Sequence, residues 1–582
     1  MHQTHRPNRA IDTPLSTAPR RCDSWRFPLN KNLVPFALLV LSQSLLAQQI
    51  PGAGSQMQQI PAAPVPQKTP PEIRIQEGTA PAAPGADAVK ILVKSLRVTG
   101  ARVYTEAALI ALTGFVPGTE LTMAELQAMT GRITDHYRKN GYFVARAYLP
   151  AQEIKDNALT IAVSEGEYGK VILRNQSNLA DDQAYSLLGG LNSGDPITND
   201  PLESRLLLLS DTPGVSVKST LVPGATPGSS DLIVDIVPGK RVTGSIDADN
   251  AGNRYTGEYR VGATVNLNNL LGRGDVASLR AVTSGSGLTY GRASYQMQFG
   301  KATAGVAYSR LEYELGKEFA PLQANGTAEV ASVYGSYPLI RSRNSNLNAG
   351  LAYDAKTFQD RVDVIPSVTD KKARVLTASL YGNHRDNLGG GGVSAFSLGL
   401  SAGDLDIETP AALAVDAASA RSNGAYNKLG FNASRLQRVT DTLSFYAGVQ
   451  GQLASKNLDS SEKMVLGGMD GVRAYPQGEA FGDEGYLVNL EARLLLPKPT
   501  ESLPGQVHLV GFVDAGRVTI NKNPWTTATN HRNLSGAGVG LTWADPGNFA
   551  LRMYYARKLG SEPAISAPDK SGRFWIQVIK YF

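Results

Sequence analysis

One cysteine, Cys22, occurs in 582 residues, and it falls in the N-terminal leader. A chain processed beyond that leader has none, which excludes disulfides, thiol catalysis and cysteine metal sites. Histidine is nearly as scarce. His2 and His5 lie in the leader, while His136, His384, His508 and His531 have no metal-ligand spacing. No HExxH, Walker or dinucleotide fingerprint occurs. Charged residues make up only 19% of the chain. An uninterrupted apolar run of about 20 residues, the length of a membrane-spanning helix, is missing. Basic excess is missing too, once the leader is set aside. Residues 1–47 hold Arg6, Arg9, Arg20, Arg21, Arg26 and Lys31 against Asp12 and Asp23, and these carry most of the formal +6 charge. The remainder is close to neutral and gives no argument for nucleic acid binding.

What is present begins with an export signal. Residues 1–47 read as a long basic leader followed by the short apolar core 33–47, with cleavage expected after Ala47. Pro35 and Gln43 interrupt that core, which argues against a membrane anchor. Residues 48–88, rich in Pro, Ala, Gly and Gln, read as linker. Within them, residues 54–60 are the stretch able to form a short helix.

Two units of mixed character follow. In residues 89–166 the expected order is β-α-α-β-β: strand 91–98, helix 105–112 opening on a cap-like Thr105, helix 122–139, and strands 142–149 and 158–163. Met123, Leu126, Met129, Ile133 and Tyr137 recur at helical spacing in the second helix. Residues 167–238 repeat the order. Strand 170–174 leads to helices 181–188 and 200–209, the second opening on Asp200 as N-cap and Pro201 in the first turn. Strands 215–221 and 231–237 close the unit. A recurring order of this length is a tandem repeat. Open sheets of this kind offer edges to which an extended partner can add a strand.

From 241 to 582 the pattern is alternation only. Phe396, Leu398, Leu400 and Ala402 oppose Ser397, Gly399, Ser401 and Gly403. Leu443, Phe445, Ala447, Val449 and Leu453 oppose Ser444, Tyr446, Gly448, Gln450 and Gln452. Glycine (59) and tyrosine (23) are plentiful, which suits short twisted strands. Sustained alternation behind an export signal predicts a transmembrane antiparallel β-barrel of about 16 strands. Asp545-Pro546-Gly547-Asn548 reads as a tight turn and residues 456–484 as a long loop, the asymmetry such barrels have. Phe574, Ile576, Val578 and Phe582 share one face of the last segment, as expected of a closing strand ending at the aromatic girdle.

Candidate chemistry is sparse. Gly399-Leu400-Ser401-Ala402-Gly403 matches GxSxG but sits within an alternating strand, without the strand–turn–helix a nucleophile elbow needs. The run 389–392 of four glycines reads as a loop or turn. No catalytic residue, metal ligand or cofactor site is assigned. The stretch 467–476 (GGMDGVRAYP) is different, because its glycines and proline forbid regular structure around a single arginine, Arg473. In the segment 507–516 the alternation turns Phe512, Asp514 and Gly516 away from the apolar face and into the lumen. If loop 456–484 folds inward, Asp514 is the wall carboxylate for Arg473.

At these residues the chain resembles the two-partner secretion translocators, the TpsB family. Val472-Arg473-Ala474-Tyr475 is similar to that family's VRGY loop motif, with Ala474 where glycine is usual. Phe512-Val513-Asp514-Ala515-Gly516 is similar to its F-x-D-x-G strand motif, and residues 142–166 resemble the end of its first POTRA domain. The resemblance implies an outer-membrane barrel preceded by two periplasmic POTRA domains. These would bind the secretion domain of a partner exoprotein of adhesin or haemolysin type, which would then pass unfolded through the pore without ATP. It also implies contact with outer-membrane lipid and with the barrel-assembly machinery during biogenesis. Many members of the family plug the pore with a helix before the first POTRA domain, and here residues 54–60 are short for that task. A second reading within the same superfamily is a factor that inserts other barrels.

Overall fold

The computed structural model describes residues 50–65, 73–75, 90–498 and 500–582. The expected leader, its cleavage site and most of the linker lie outside them. Two pieces of the linker are ordered elements: helix α1 (Ala53–Gln58) and a three-residue strand, β1 (Ile73–Ile75).

The first α/β unit contains β2 (Lys90–Val93), β3 (Ser95–Thr99), α2 (Glu106–Thr113), β4 (Thr119–Thr122), α3 (Met123–Lys139), β5 (Arg146–Tyr148) and β6 (Ala158–Ser164). It departs from a plain β-α-α-β-β order. The run expected as one strand breaks at Lys94, because Lys94 N–H and Ser95 N–H both turn to the Asn157 carbonyl. Its front half, β2, pairs with β4, a short strand between the helices, and its back half, β3, pairs with β6. Residues 142–149 are strand only over β5, since Ala145 N–H closes a turn onto the Tyr142 carbonyl. The helix caps follow sequence chemistry. Thr105 accepts from Ala108 N–H, and Thr122 with Glu125 forms a reciprocal capping box. Leu126, Met129, Ile133 and Tyr137 are buried, while Met123 stays exposed at the first turn. The Tyr137 hydroxyl donates to buried Glu165 at 2.7 Å, and that carboxylate also accepts from Arg102 and Val103 N–H. Burial, and then the neighbouring Glu165 carboxylate, raise the Tyr137 phenol well above its ordinary range.

The second unit holds β7 (Glu167–Asn175), α4 (Asp181–Leu188), α5 (Asn199–Asp211), β8 (Val215–Pro223) and β9 (Ser229–Pro238). Helix α5 starts earlier than its Asp-Pro pair suggests. Thr198 is the extended N-cap residue, so Asp200 and Pro201 both lie inside the first turn. Its four-stranded sheet runs β1-β8-β9-β7. Residues 73–75 pair in parallel with 219–221, so a piece of linker covers an edge that the repeat alone would leave open. Helices α4 and α5 dock on turns at the near end of the barrel. Arg273 pairs with Asp182 at 2.6 Å and Arg341 with Asp211 at 2.6 Å, and Asn178 exchanges hydrogen bonds with Asn269.

The barrel strands are β10 (Val242–Asp249), β11 (Arg260–Asn268), β12 (Val276–Thr283), β13 (Leu288–Phe299), β14 (Ala302–Glu314) and β15 (Ala324–Arg341). They continue as β16 (Ser345–Val362), β17 (Ser367–Asp386), β18 (Gly392–Ile407), β19 (Gly424–Arg438) and β20 (Leu443–Ala454). Two short strands, β21 (Met464–Val465) and β22 (Phe481–Gly482), pair with each other inside the long loop. The wall resumes with β23 (Glu484–Leu495), β24 (Gln506–Thr519), β25 (His531–Asp545), β26 (Phe549–Lys558) and β27 (Gly572–Tyr581). Every wall strand pairs antiparallel with its neighbours, and β27 pairs with β10 to close a 16-strand ring. Gly244 and Phe582 exchange both backbone hydrogen bonds at that seam.

Alternation sorts the side chains. Phe396, Leu398, Leu400, Leu509, Val513, Phe574, Val578 and Phe582 are exposed on the outer face, where hydrocarbon would meet them. Ser401 of the GxSxG match lies in the middle of β18 and only exchanges a hydrogen bond with Thr377 at 2.9 Å. Most connections at the near end are short, as at Asp545, where Asn548 N–H bonds the Asp545 carbonyl with Gly547 at φ +75°; residues 496–505 are the longer exception. The far end carries the long loops. Thr122→Ala removes the capping box of α3, at a cost of about 1 kcal/mol. Amide exchange in the first turn of α3 should then run about fivefold faster, with the rest of the chain unchanged.

Candidate functional site

Loop 456–484 leaves β20 at the far end and folds back into the barrel. Three glycines let it do so. Gly467 and Gly471 approach neighbouring backbone too closely for a side chain, and Gly468 has φ +113°. Residues 467 and 472 form an isolated bridge that shapes the tip. The residues around Arg473 are apolar and buried: Val472 and Tyr475 fully, and Ala474 nearly so. The Tyr475 hydroxyl donates to the Glu562 carbonyl at 2.9 Å, in the loop before β27.

Arg473 is held by every group it has. Its backbone N–H donates to Asp514 Oδ2 at 3.0 Å, and its carbonyl accepts from Trp575 Nε1 at 2.7 Å. Its Nε and Nη2 form a two-pronged pair with Asp514 at 2.9 and 2.7 Å. Nη1 donates to Glu491 Oε1 at 2.8 Å. The guanidinium lies 3.5 Å from the Phe512 ring centroid and 4.9 Å from that of Tyr554. Desolvated cation–π contacts of this kind contribute about 2 kcal/mol. Asn489 adds a donor to Asp514 at 2.8 Å, and Arg493 neutralises Glu491 at 2.7 Å. The result is a charge-balanced quartet, Arg473 and Arg493 against Asp514 and Glu491, in which Asp514 has no solvent exposure.

The remaining motif residues have separate positions. Gly516 leaves room for Leu466 of the loop. Phe574, Ile576, Val578 and Phe582 do not meet the loop side chains; the first, third and fourth face outward, and Ile576 N–H bonds Asn250. Trp575, between them, points inward to Arg473. Sequence reading passed over Trp575, Glu491, Asn489, Arg493 and Tyr554. The signal for three of them was there: in Val488-Asn489-Leu490-Glu491-Ala492-Arg493, every second residue is polar, which is a lumen face.

Ala474 has an equally local explanation. It keeps a negative φ, so the position needs no glycine for its backbone. Space for its methyl comes from the wall, where Gly536 of β25 lies directly opposite.

The return limb is fixed separately. Fully buried Glu479 accepts from Arg532, from Ile565 and Ser566 N–H, and from the Ser566 hydroxyl at 2.6 Å. Helix α1 also lies in the lumen. Ala53 N–H and the Tyr313 hydroxyl both donate to Asp360 at 2.7 Å, and Arg260 donates to the Gln59 carbonyl at 2.9 Å. A carboxylate at its start and a cation at its end complement the helix dipole.

Comparison with known proteins gives consistent matches. Residues 228–543 match the family described as haemolysin secretion/activation protein ShlB/FhaC/HecB, and residues 91–166 match the POTRA domain, ShlB-type. The heme/hemopexin transporter protein HuxB of Haemophilus influenzae is 30% identical over 558 residues, covering 93% of this chain and 97% of HuxB. The outer membrane transporter CdiB of Dickeya dadantii is 25% identical over 439 residues, covering 72% and 75%. The solved structure of CdiB from Escherichia coli aligns with TM-score 0.64 at 20% identity, over 94% of this chain and 98% of that one.

Gly536→Ala would drive a methyl group into Ala474, at a cost of about 1–3 kcal/mol. Protease should then cut loop 456–484 faster in the folded barrel. Adding Ala474→Gly should restore most of the protection.

Proposed function

Because this chain belongs to the haemolysin secretion/activation protein family ShlB/FhaC/HecB, we propose that it exports one secreted partner protein through its own barrel. It is a TpsB-type outer-membrane transporter, with its POTRA units in the periplasm. The near end of the barrel is therefore periplasmic and the far end faces outward.

One observation carries the export reading. Among the described residues, a loop and a six-residue helix occupy the lumen, and neither belongs to the wall. Both can withdraw without breaking a strand pair of the ring. A barrel of sixteen strands then has room for water and an extended chain. At the periplasmic mouth a cavity of about 1050 Å³ already lies between Lys218 of the second unit, residues 60–63, and wall residues such as Arg280 and Arg292.

Partner recognition is assigned to the POTRA units. An unfolded exoprotein arriving from the periplasm offers extended backbone, and an open sheet edge accepts extended backbone. Although β1 covers the β8 edge, β7 still ends the second unit's sheet, and β3 and β5 end the three-stranded sheet of the first unit, so both units offer edges among the described residues. Arg473, with Asp514, Val472, Tyr475, Phe512 and Gly516, fixes the loop tip while the pore is closed. Phe574, Ile576, Val578 and Phe582 form the barrel-closing segment that the assembly machinery reads.

The second reading, insertion of other barrels, has less behind it, since HuxB and CdiB are both named as transporters. Depletion separates the two: loss of one secreted protein supports export, and general loss of outer-membrane barrels supports insertion. Arg473→Ala leaves Asp514 buried without its cation, at a cost of about 3–5 kcal/mol to the docked loop. The barrel should remain in the membrane at ordinary levels while secretion of the partner falls about tenfold or more. Unchanged secretion by that variant would remove the loop from the mechanism.

A further inference from the structure

The loop has a second charged seat, opposite in polarity to the first. At Arg473 the loop supplies the cation and the wall the acids. On the outgoing limb the loop supplies the acids, Asp459 and Glu462, and the wall supplies three lysines. Glu462 bridges Lys356 of β16 and Lys428 of β19, at 2.6 Å each. Asp459 pairs with Lys371 of β17 at 2.8 Å. Glu462 is 2% exposed, and the three lysines of the seat keep no more than a fifth of their surface. The two seats use different strands of the wall: Lys356, Lys371 and Lys428 stand on β16, β17 and β19, and Glu491, Asp514 and Trp575 on β23, β24 and β27.

The acidic seat is also where α1 rests. A methyl group at Gly54 would overlap Ser461, which lies between the two acids. Leu458 of the same limb shares a hydrophobic cluster with Ala53, and Met57 packs against it. The carboxylate that holds the start of α1, Asp360, lies four residues along β16 from Lys356 and on the same lumen face. Moving this limb therefore removes the floor under the helix.

The two seats differ in how readily they open. Arg473 is a planar fork stacked on aromatic rings, with little to gain from water. A lysine ammonium is a strongly hydrated point charge on a flexible stem. Buried ion pairs of this kind gain little net energy, since lost hydration offsets their attraction. Once water enters the lumen, the lysines and acids regain that hydration and the pairs part at modest cost.

We propose that Lys356, Lys371 and Lys428 with Asp459 and Glu462 form a latch, distinct from the Arg473 seat, that positions α1 and must part before the pore opens to a polypeptide. This rests on the reading of the lumen as the export route. It concerns the closed barrel alone, so it can be tested without cargo.

The test is conductance of the full processed protein in planar bilayers, with heat-modifiable migration as the check on barrel folding. Asp459→Lys and Lys371→Asp, each alone, should raise the fraction of time in the large-conductance state about fivefold or more. The double variant, with the pair reversed, should return to within about twofold of the parent, because the two sites are coupled. Glu462→Gln, nearly the same shape, should open the pore as the single variants do and serves if a charge reversal prevents folding. Folded Glu462→Gln or single variants with parental conductance would overturn the latch. So would a reversed pair that stays as open as its parents, since that outcome marks a strut and not a charge contact. Should conductance respond as stated while no partner protein is exported by the parent chain, the latch stands and the export reading fails.

Discussion

A backbone crossing hydrocarbon has no water to satisfy its N–H and C=O groups, and that constraint shapes everything else in this molecule. It demands a ring without edges. The ring closes from β10 to β27, and Gly244 and Phe582 complete its last pairs. A wall of that kind cannot open strand by strand without exposing unpaired groups to lipid. Whatever moves must be inside it. The division between fixed wall and removable contents is thus a consequence of the solvent, and the loop and helix in the lumen are where the freedom remains.

The contents are tied down by different chemistries in different places. Arg473 meets two carboxylates, two rings, an indole and a backbone contact, so no single loss frees it. Glu479 is satisfied chiefly by backbone N–H groups and an arginine. The limb nearest β20 relies on lysines instead. A loop held by unequal fastenings moves in a preferred order, from the hydrated end toward the stacked one. The POTRA side follows a related rule. Its ion pairs with the barrel set arginines on the wall against Asp182, Glu203 and Asp211 on the helices, at the rim where water competes.

Periodicity made the architecture legible. Alternation has one physical cause, a wall with lipid on one side and a lumen on the other, and it repeats strand after strand. The two helices of the first α/β unit were legible because caps such as Thr122 with Glu125 are local, whereas those of the second unit have no side-chain cap and the start of α5 was misplaced. The site was legible only where one residue stood out, as Arg473 did among glycines and Asp514 among apolar neighbours. Trp575 was not, because it sits among residues that all suit a closing strand, and only the fold brings its indole to the Arg473 carbonyl. The break at Lys94 and strand β1 were hidden for the same reason: their partners, Asn157 and residues 219–221, are remote in sequence. The placement of Gly536 against Ala474 is a three-dimensional fact with no one-dimensional trace.

Strand β1 has a mechanical consequence. Fourteen Cα-to-Cα steps separate Gln59, at the end of α1, from Ile73, where the chain is pinned to β8. Fully extended, such a leash reaches about 46–50 Å, more than the roughly 30 Å of hydrocarbon that the barrel crosses. The helix can leave the pore entirely and still be captive to the second POTRA unit. Its return is then an intramolecular event, at an effective concentration on the order of millimolar. A passing chain would compete with a stopper that never diffuses away, and the pore would reseal as soon as its cargo has gone.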